Sequence, residues 1–289
     1  SGGLPTAFTA LPATTQRRQH RPAMQLIVTA LDSEARPLLD QYRLRASANS
    51  GPFRLYGNDN ILLIVSGIGR VNAAAASAYL AALAGPGVHS WLNIGIGGQR
   101  DYVLGSAWLA SCIQLPNARQ NWYPPLIFTL PCPAATVCTV DQPQLDYPSE
   151  HIYEMEAAGF YPTATRFSSG ELVQCLKIIS DNAEHAAERL RPAIVSDLVR
   201  AALEPIDKVL CALRELADEL QQAEQYLTLP ALPWRISVAQ QHLLRELLRR
   251  YRIRFGATVD PQLNAYTNAK DCLRGLRQQL QQHPQHLAP

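Results

Sequence analysis

A chain of 289 residues, 47% of them hydrophobic, is long enough to bury a sizeable core as one large domain or as a domain with an appendage. No apolar run approaches the roughly 20 residues of a bilayer span and no signal-peptide core opens the chain, so a folded cytoplasmic protein with no membrane partner is expected. The net charge of +2 is unevenly spread: beyond Pro233 nine Lys/Arg face three Asp/Glu, residues 1–23 add three Arg and no acid, and a body of net −7 lies between. The six cysteines are scattered without a Cys-x-x-Cys pair or a nearby His at ligand spacing, which argues against a disulfide framework or a zinc site; no metal or cofactor is expected.

Ser1–Ala23 is rich in Pro, Thr, Gly and Arg without apolar periodicity and reads as a disordered tail. Met24–Leu31 reads as the first buried strand, and Asp32-Ser33-Glu34 leads into a short helix ending near Leu39. On spacing alone Asp32 or Ser33 caps that helix, and Glu34 favours its positive end. Ile61–Val65 reads as a second buried strand, followed by the turn Ser66-Gly67-Ile68-Gly69-Arg70 and an alanine-rich helix over Val71–Leu83. The glycines suit either an anion-holding helix start or a plain tight turn, and Arg70 suits either a phosphate or solvent. Ser90–Ile94 reads as a third strand, with Gly95-Ile96-Gly97-Gly98 as a loop of almost no side-chain bulk.

Ala107–Ile113 and Val137–Val140 read as further strands around a proline-rich stretch. Glu154-Met155-Glu156-Ala157-Ala158-Gly159 then opens a helix interrupted near Pro162. Cys175–Asn182 is a buried strand carrying Asp181 at its carboxyl end, where open α/β sheets place their ligands; the plainer reading makes Asp181 the N-cap of a helix beginning near Ala183. Ile194–Leu220 has helical periodicity, with Pro205 as a bend or break. Leu227–Pro233 reads as a linker, and Ser237–Tyr251 and Pro261–Gln279 as two more helices. Residues 234–289 thus form a basic helical extension. Its arginines, Arg252, Arg254, Arg274 and Arg277 among them, suit a solvated face or contact with an acidic or nucleic-acid partner.

Four segments in order, Ala30-Leu31-Asp32-Ser33-Glu34, Ser66 to Ala74, Asn93-Ile94-Gly95-Ile96-Gly97-Gly98, and Glu154-Met155-Glu156-Ala157 with Ile179-Ser180-Asp181, resemble the nucleoside phosphorylase and nucleosidase superfamily. The 5'-methylthioadenosine/S-adenosylhomocysteine nucleosidase branch is the nearest in pattern. The resemblance implies a three-layer α/β/α sandwich with a mixed, partly closed central sheet over residues 24–222, a homo-oligomer, and hydrolysis of the N-glycosidic bond of a purine nucleoside, such as a 5'-modified adenosine. It implies Asp181 as the group protonating the purine and Glu34 as the base for water, both catalytic. Glu156 and Met155 would hold the ribose with Glu154 in support, while Gly67, Ile68, Ile96, Gly97 and Tyr153 line the substrate.

Three departures stand out. Ile96 replaces the usual Ser or Thr, Lys177 replaces an Arg, and the chain between Asp141 and Glu156 is shorter, with Pro143 near the place of the purine-stacking aromatic. Tyr147 or Tyr153 is left to stack on the base. A phosphorylase and a non-catalytic nucleoside-binding module are the two other readings.

Overall fold

The computed structural model describes residues 23–47, 51–116, 119–185, 187, 190–227, 229, 232–255 and 261–282, with only the backbone at 223–227 and 253. The expected tail, apart from Ala23, and the last seven residues of the extension therefore lie outside the described residues.

The first strand, β1 (Gln25–Thr29), is buried at every position. Its side chains alternate between two cores: Leu26 and Val28 face one, Ile27 the other, as the two-residue period of a strand demands. β1 lies between β4 (Ile61–Val65) and β5 (Ser90–Gly98), parallel to both. Two short strands, β2 (Arg45–Ala46) and β3 (Arg54–Gly57), extend the β4 edge antiparallel. On the other side β5 pairs in parallel with β10 (Val173–Asp181) from Trp91 to Gly98.

The sheet then closes on itself. β10 pairs with β6 (Ala107–Gln114), β6 with β8 (Ala134–Thr139), β8 with β9 (Ile152–Glu154), and β9 returns to β5 at Gly98. A two-residue strand, β7 (Asn121–Trp122), hangs on β6. Strand β5 thus has β1 beside it up to Asn93 and β9 beside it at Gly98, on the edge opposite β10. The sheet splits between those two points, and a split of this kind at the carboxyl ends of parallel strands is where α/β folds place ligands.

Helices cover both faces. α2 (Arg70–Ala84) and α3 (Ala157–Ala164) pack on one core through Ala73, Ala76, Leu80 and Phe160. α1 (Asp32–Tyr42), α4 (Pro192–Ala201) and α5 (Leu203–Leu227) pack on the other through Leu38, Val199, Ile206 and Leu210. The result is three layers with a partly closed mixed sheet, as the resemblance implied.

The structure corrects several local expectations. Gly95–Gly98 is the end of strand β5, not a loop: a Cβ on Gly97 would stand 2.8 Å from Ile152 and 3.0 Å from the Tyr153 carbonyl, so glycine lets β9 approach. Glu154 ends strand β9, and the helix begins only at Ala157. Among the described residues no helix begins at Ala183, so Asp181 is not its cap. The expected helix over 194–220 is two helices broken at Ala202. Pro205 lacks an N–H and would clash with the carbonyl of Ala201 in a continuous helix, yet is accommodated in the first turn of α5. The expected helix over 261–279 is a short 3₁₀ turn at Leu263–Ala265 followed by α7 (Ala269–Gln282).

α6 (Val238–Phe255) and α7 pack on each other around Leu244, Leu247, Leu248, Cys272, Leu273 and Leu276, with Trp234 and Tyr266 at the edge. Ser237 starts α6 with a reciprocal cap: the Gln240 amide N–H points to Ser237 Oγ at 3.3 Å and the Ser237 N–H to Gln240 Oε1 at 3.0 Å. Among the described residues no helix is long and apolar enough to cross a membrane.

Candidate active site

The split in the sheet opens into a cleft lined by Ala30, Leu31, Glu34, Ile68, Ile96, Gly97, Tyr153, Glu154, Met155, Glu156 and Asp181, with Gly98, Val140, Pro143, Ser180 and Leu190 among the rest of the wall. Every expected site residue except Gly67 lines it. Gly67 lines an adjoining surface cleft instead, together with Phe53, Arg54, Ser66 and Asn72.

Glu34 comes from the first turn of α1, and its carboxylate turns back into the fold. Oε2 accepts the N–H groups of Ala30 at 2.8 Å and Leu31 at 2.9 Å, and Oε1 accepts the Ile96 N–H at 3.0 Å. The last of these donors lies on β5 beyond its pairing with β1, so the carboxylate fills the gap in the sheet. Burial pushes the Glu34 carboxyl up from its ordinary value, against the pull of these backbone bonds and of the Lys177 charge. With three N–H bonds on two oxygens, Oε1 keeps a lone pair for a further proton donor.

Glu156 precedes α3 and its Oε1 accepts the Gly69 N–H at 2.9 Å, at the start of α2. That helix start therefore holds the protein's own carboxylate. Gly159 permits the closeness, since a Cβ there would fall 1.9 Å from the Arg70 carbonyl oxygen. Burial first, then the neighbouring Glu154 charge, raises the Glu156 carboxyl to about 7. Arg70 turns outward and makes a two-bonded ion pair with Asp141 at 3.0 and 3.2 Å, in place of either expected partner.

Glu154 is held on all sides. Its carboxylate takes Lys177 Nζ at 2.6 Å, Thr139 Oγ1 at 2.5 Å, and the N–H groups of Glu156 and Ala157 at 2.9 Å. Burial works to raise its pKa, but Lys177 and these hydrogen bonds outweigh that and hold it below the usual carboxylate range. Lys177 is itself 0% exposed and also bonds Asn93 Oδ1 at 2.8 Å. Burial opposes its charge, yet Glu154 and Glu156 raise its pKa above the ordinary lysine value. Lys177 thus balances a carboxylate; the solvent-facing alternative does not hold. Glu154 is positioned as the anchor between β9, β10 and α3.

Asp181, at the end of β10, accepts from Ser180 Oγ at 2.5 Å on Oδ1 and from the Tyr147 hydroxyl on Oδ2. Tyr147 is buried against Cys138, Val140 and Tyr153. Tyr153 lines the cleft with its hydroxyl 2.7 Å from Ser149 Oγ. Pro143 lies on the wall, so no aromatic occupies its place. Sequence reasoning did not find the Tyr147 contact to Asp181 or the roles of Thr139 and Asn93. Their partners lie 34, 15 and 84 residues away, and only the closing of the sheet brings them together.

The three layers and partly closed mixed sheet are the fold of solved nucleosidases. Among solved structures the chain is similar to 5'-methylthioadenosine nucleosidase of Arabidopsis thaliana in its apo form, at 19% identity over 67% of this chain and 97% of that one, with a TM-score of 0.55. It is similar to the 5'-methylthioadenosine/S-adenosylhomocysteine nucleosidase of Helicobacter pylori with butyl-thio-DADMe-Immucillin-A, at 14% identity over 66% and 99% of the two chains, with a TM-score of 0.54. Futalosine hydrolase of Helicobacter pylori matches at 14% identity over 67% and 100%, with a TM-score of 0.54. No family model and no curated protein matches the chain.

Proposed function

We propose that the protein is a nucleosidase that hydrolyses the N-glycosidic bond of a purine nucleoside, with a 5'-modified adenosine as the substrate. The observation that carries this reading is the convergence of Glu34, Glu156 and Asp181, from three separate segments, on one cleft.

Breaking a ribosyl C–N bond leaves an oxocarbenium-like sugar and a purine that departs as an anion unless it is protonated. Asp181 gives its proton to the purine nitrogen as the bond breaks, and the bonding pair leaves with the base. Glu34, whose carboxylate is fixed by three backbone N–H groups, takes a proton from the water that adds to the sugar. Glu156, as a carboxylate beside Met155, accepts hydrogen bonds from the ribose hydroxyls. Glu154 and Lys177 hold the β9–α3 junction that presents Glu156. Positioned proton transfer of this kind is worth about 10² to 10⁴ in rate.

Ile96, in place of a hydroxyl side chain, makes its part of the wall apolar, which supports water over phosphate as the attacking group. The solved neighbours named as nucleosidase and hydrolase favour the same choice. The test is chromatography of free base after incubation with 5'-methylthioadenosine, S-adenosylhomocysteine, 5'-deoxyadenosine, adenosine and inosine, each with and without phosphate. Base release without phosphate is expected. A strict phosphate requirement would replace hydrolysis by phosphorolysis, and tight binding without release would make the cleft a binding module.

A further inference from the structure

Asp181 does not stand alone in the cleft. Both of its oxygens face hydroxyl groups, Ser180 Oγ on Oδ1 and Tyr147 Oη on Oδ2. Ser180 is its chain neighbour, whereas Tyr147 is brought in from the segment between β8 and β9, the part of the chain that departs from the nucleosidase pattern. Three features of the fold are spent on that meeting.

Tyr147 has φ +42, in the left-handed region that a bulky side chain avoids, and the following Pro148 disfavours the helical region further. Among the described residues the two other non-glycine positions with positive φ are Arg43, just past the end of α1, where such a conformation is ordinary, and Gln262, at the start of the 3₁₀ turn. Tyr147 has no helix to end. Second, the ring is 4% exposed and sits tilted against Tyr153 at 6.5 Å between centroids, so the hydroxyl is aimed by packing. Third, Gly98 makes room: a Cβ there would stand 2.2 Å from Asp181 Oδ2 and 2.7 Å from Tyr147 Cε1. Backbone strain held in place by surrounding contacts is concentrated at functional sites.

We propose that Tyr147 is a positioning residue for the departure of the base, acting through Asp181; the inference rests on the proposed function. When the C–N bond breaks, the Asp181 proton passes to the purine nitrogen and the carboxyl group becomes a carboxylate. The phenol keeps its own proton and donates a hydrogen bond to that new charge. Hydroxyl donors favour the charged form of a carboxylate, so this bond strengthens as the proton leaves. It therefore stabilises the transition state more than the bound substrate. The water oxygen goes to the sugar carbon, its proton goes to Glu34, and protons return through solvent after release.

The test compares wild type with Tyr147→Phe, which keeps the ring and removes only the hydroxyl, on 5'-methylthioadenosine and on 4-nitrophenyl riboside. The second leaves as nitrophenolate and needs no proton. With the nucleoside, kcat is expected to fall about 10- to 100-fold at unchanged KM, the range for a hydrogen bond to a charged group; with the riboside the rate is expected to hold. An unchanged kcat on the nucleoside, a loss carried by KM, or an equal loss on both substrates overturns the proposal, and the kcat-against-KM split decides alone where the riboside turns over too slowly to measure. Asp181→Asn in parallel separates the two levels. If it abolishes turnover while Tyr147→Phe is fully active, Tyr147 alone loses its role; if it is fully active, Asp181 is not the acid and the inference falls with it, whereas no base release by the wild type removes the proposed function itself.

Discussion

The cleft and the sheet behind it bury Glu34, Glu154, Glu156, Lys177 and Asp181, none more than 6% exposed. The pair α6 and α7 buries Leu244, Leu247, Leu248 and Leu276 and leaves Arg245, Arg249, Arg274 and Arg277 exposed. The second region largely follows the ordinary rule that apolar residues go inside and charges outside, with Arg252 and Arg254 half-buried as its exceptions. The first breaks the rule five times, four times on the cleft wall and once at Lys177 behind it. Buried charges are costly to desolvate, so a cluster of them marks a candidate functional site.

That contrast predicts where substitutions act. Asp181→Asn and Glu34→Gln each preserve shape and remove a group proposed to transfer a proton. Each should lower kcat for base release by about 10² to 10⁴ with the circular dichroism spectrum unchanged. If either variant hydrolyses nucleoside at the wild-type rate, that carboxylate is a structural group and the contrast with the helical pair collapses at that position.

Lys177→Met comes next. It leaves Glu154 buried without its cation, and breaking a buried pair from one side costs about 3–5 kcal/mol, measurable as a drop in the urea midpoint. Adding Glu154→Gln to the same protein should recover part of the loss, because the uncompensated charge is gone. A Lys177→Met protein as stable as wild type would mean that Glu154 takes up a proton on losing its partner.

Much of this architecture was legible in the sequence. The apolar runs of β1, β4 and β10 and the leucine spacing of α6 are local signals, and they point to the right elements. The glycines of Gly95–Gly98 misled because their absence of side chains reads as a loop, whereas here it admits β9 and the Asp181–Tyr147 pair. Lys177 was ambiguous because its alternation with apolar neighbours does not reveal whether a lysine meets solvent or a buried carboxylate. The identity of its partners depends on β9 and β10 flanking β5, a contact between distant segments that no local pattern encodes. The motif-bearing residues Glu34, Glu156 and Asp181 could be singled out by resemblance, but the backbone groups that orient them could not.

The helical pair offers the complementary test. Leu247→Ala removes a side chain 2% exposed in the α6–α7 core and should cost about 2–5 kcal/mol in thermal or urea unfolding of that region. Base release per folded molecule should be unchanged. A parallel loss of kcat would show that the helices support the cleft, and the division between the two regions would have to be redrawn.

The smallest expected effect is the most diagnostic of how the cleft uses its charges. The Glu156 carboxyl is raised from 4.5 to about 7 by burial and by the Glu154 charge, so the folded protein holds a proton there that the unfolded chain has released. Its contribution to stability is therefore fully present below about pH 4.5 and is lost as pH rises through about 7. The proposed ribose binding runs the other way, since only the ionised carboxylate accepts from the hydroxyls without a proton of its own in the way. In the free enzyme kcat/KM should therefore rise with pH up to about 7, by about tenfold per unit below that point, while the stability contributed by this group declines over the same span. Glu156→Gln should remove both trends together, leaving whatever acid limb belongs to Glu34. A limb at about 7 that survives the substitution would take the titration away from Glu156 and leave it as the acceptor at the start of α2, its second role in the fold, with no ionisation to couple to the substrate.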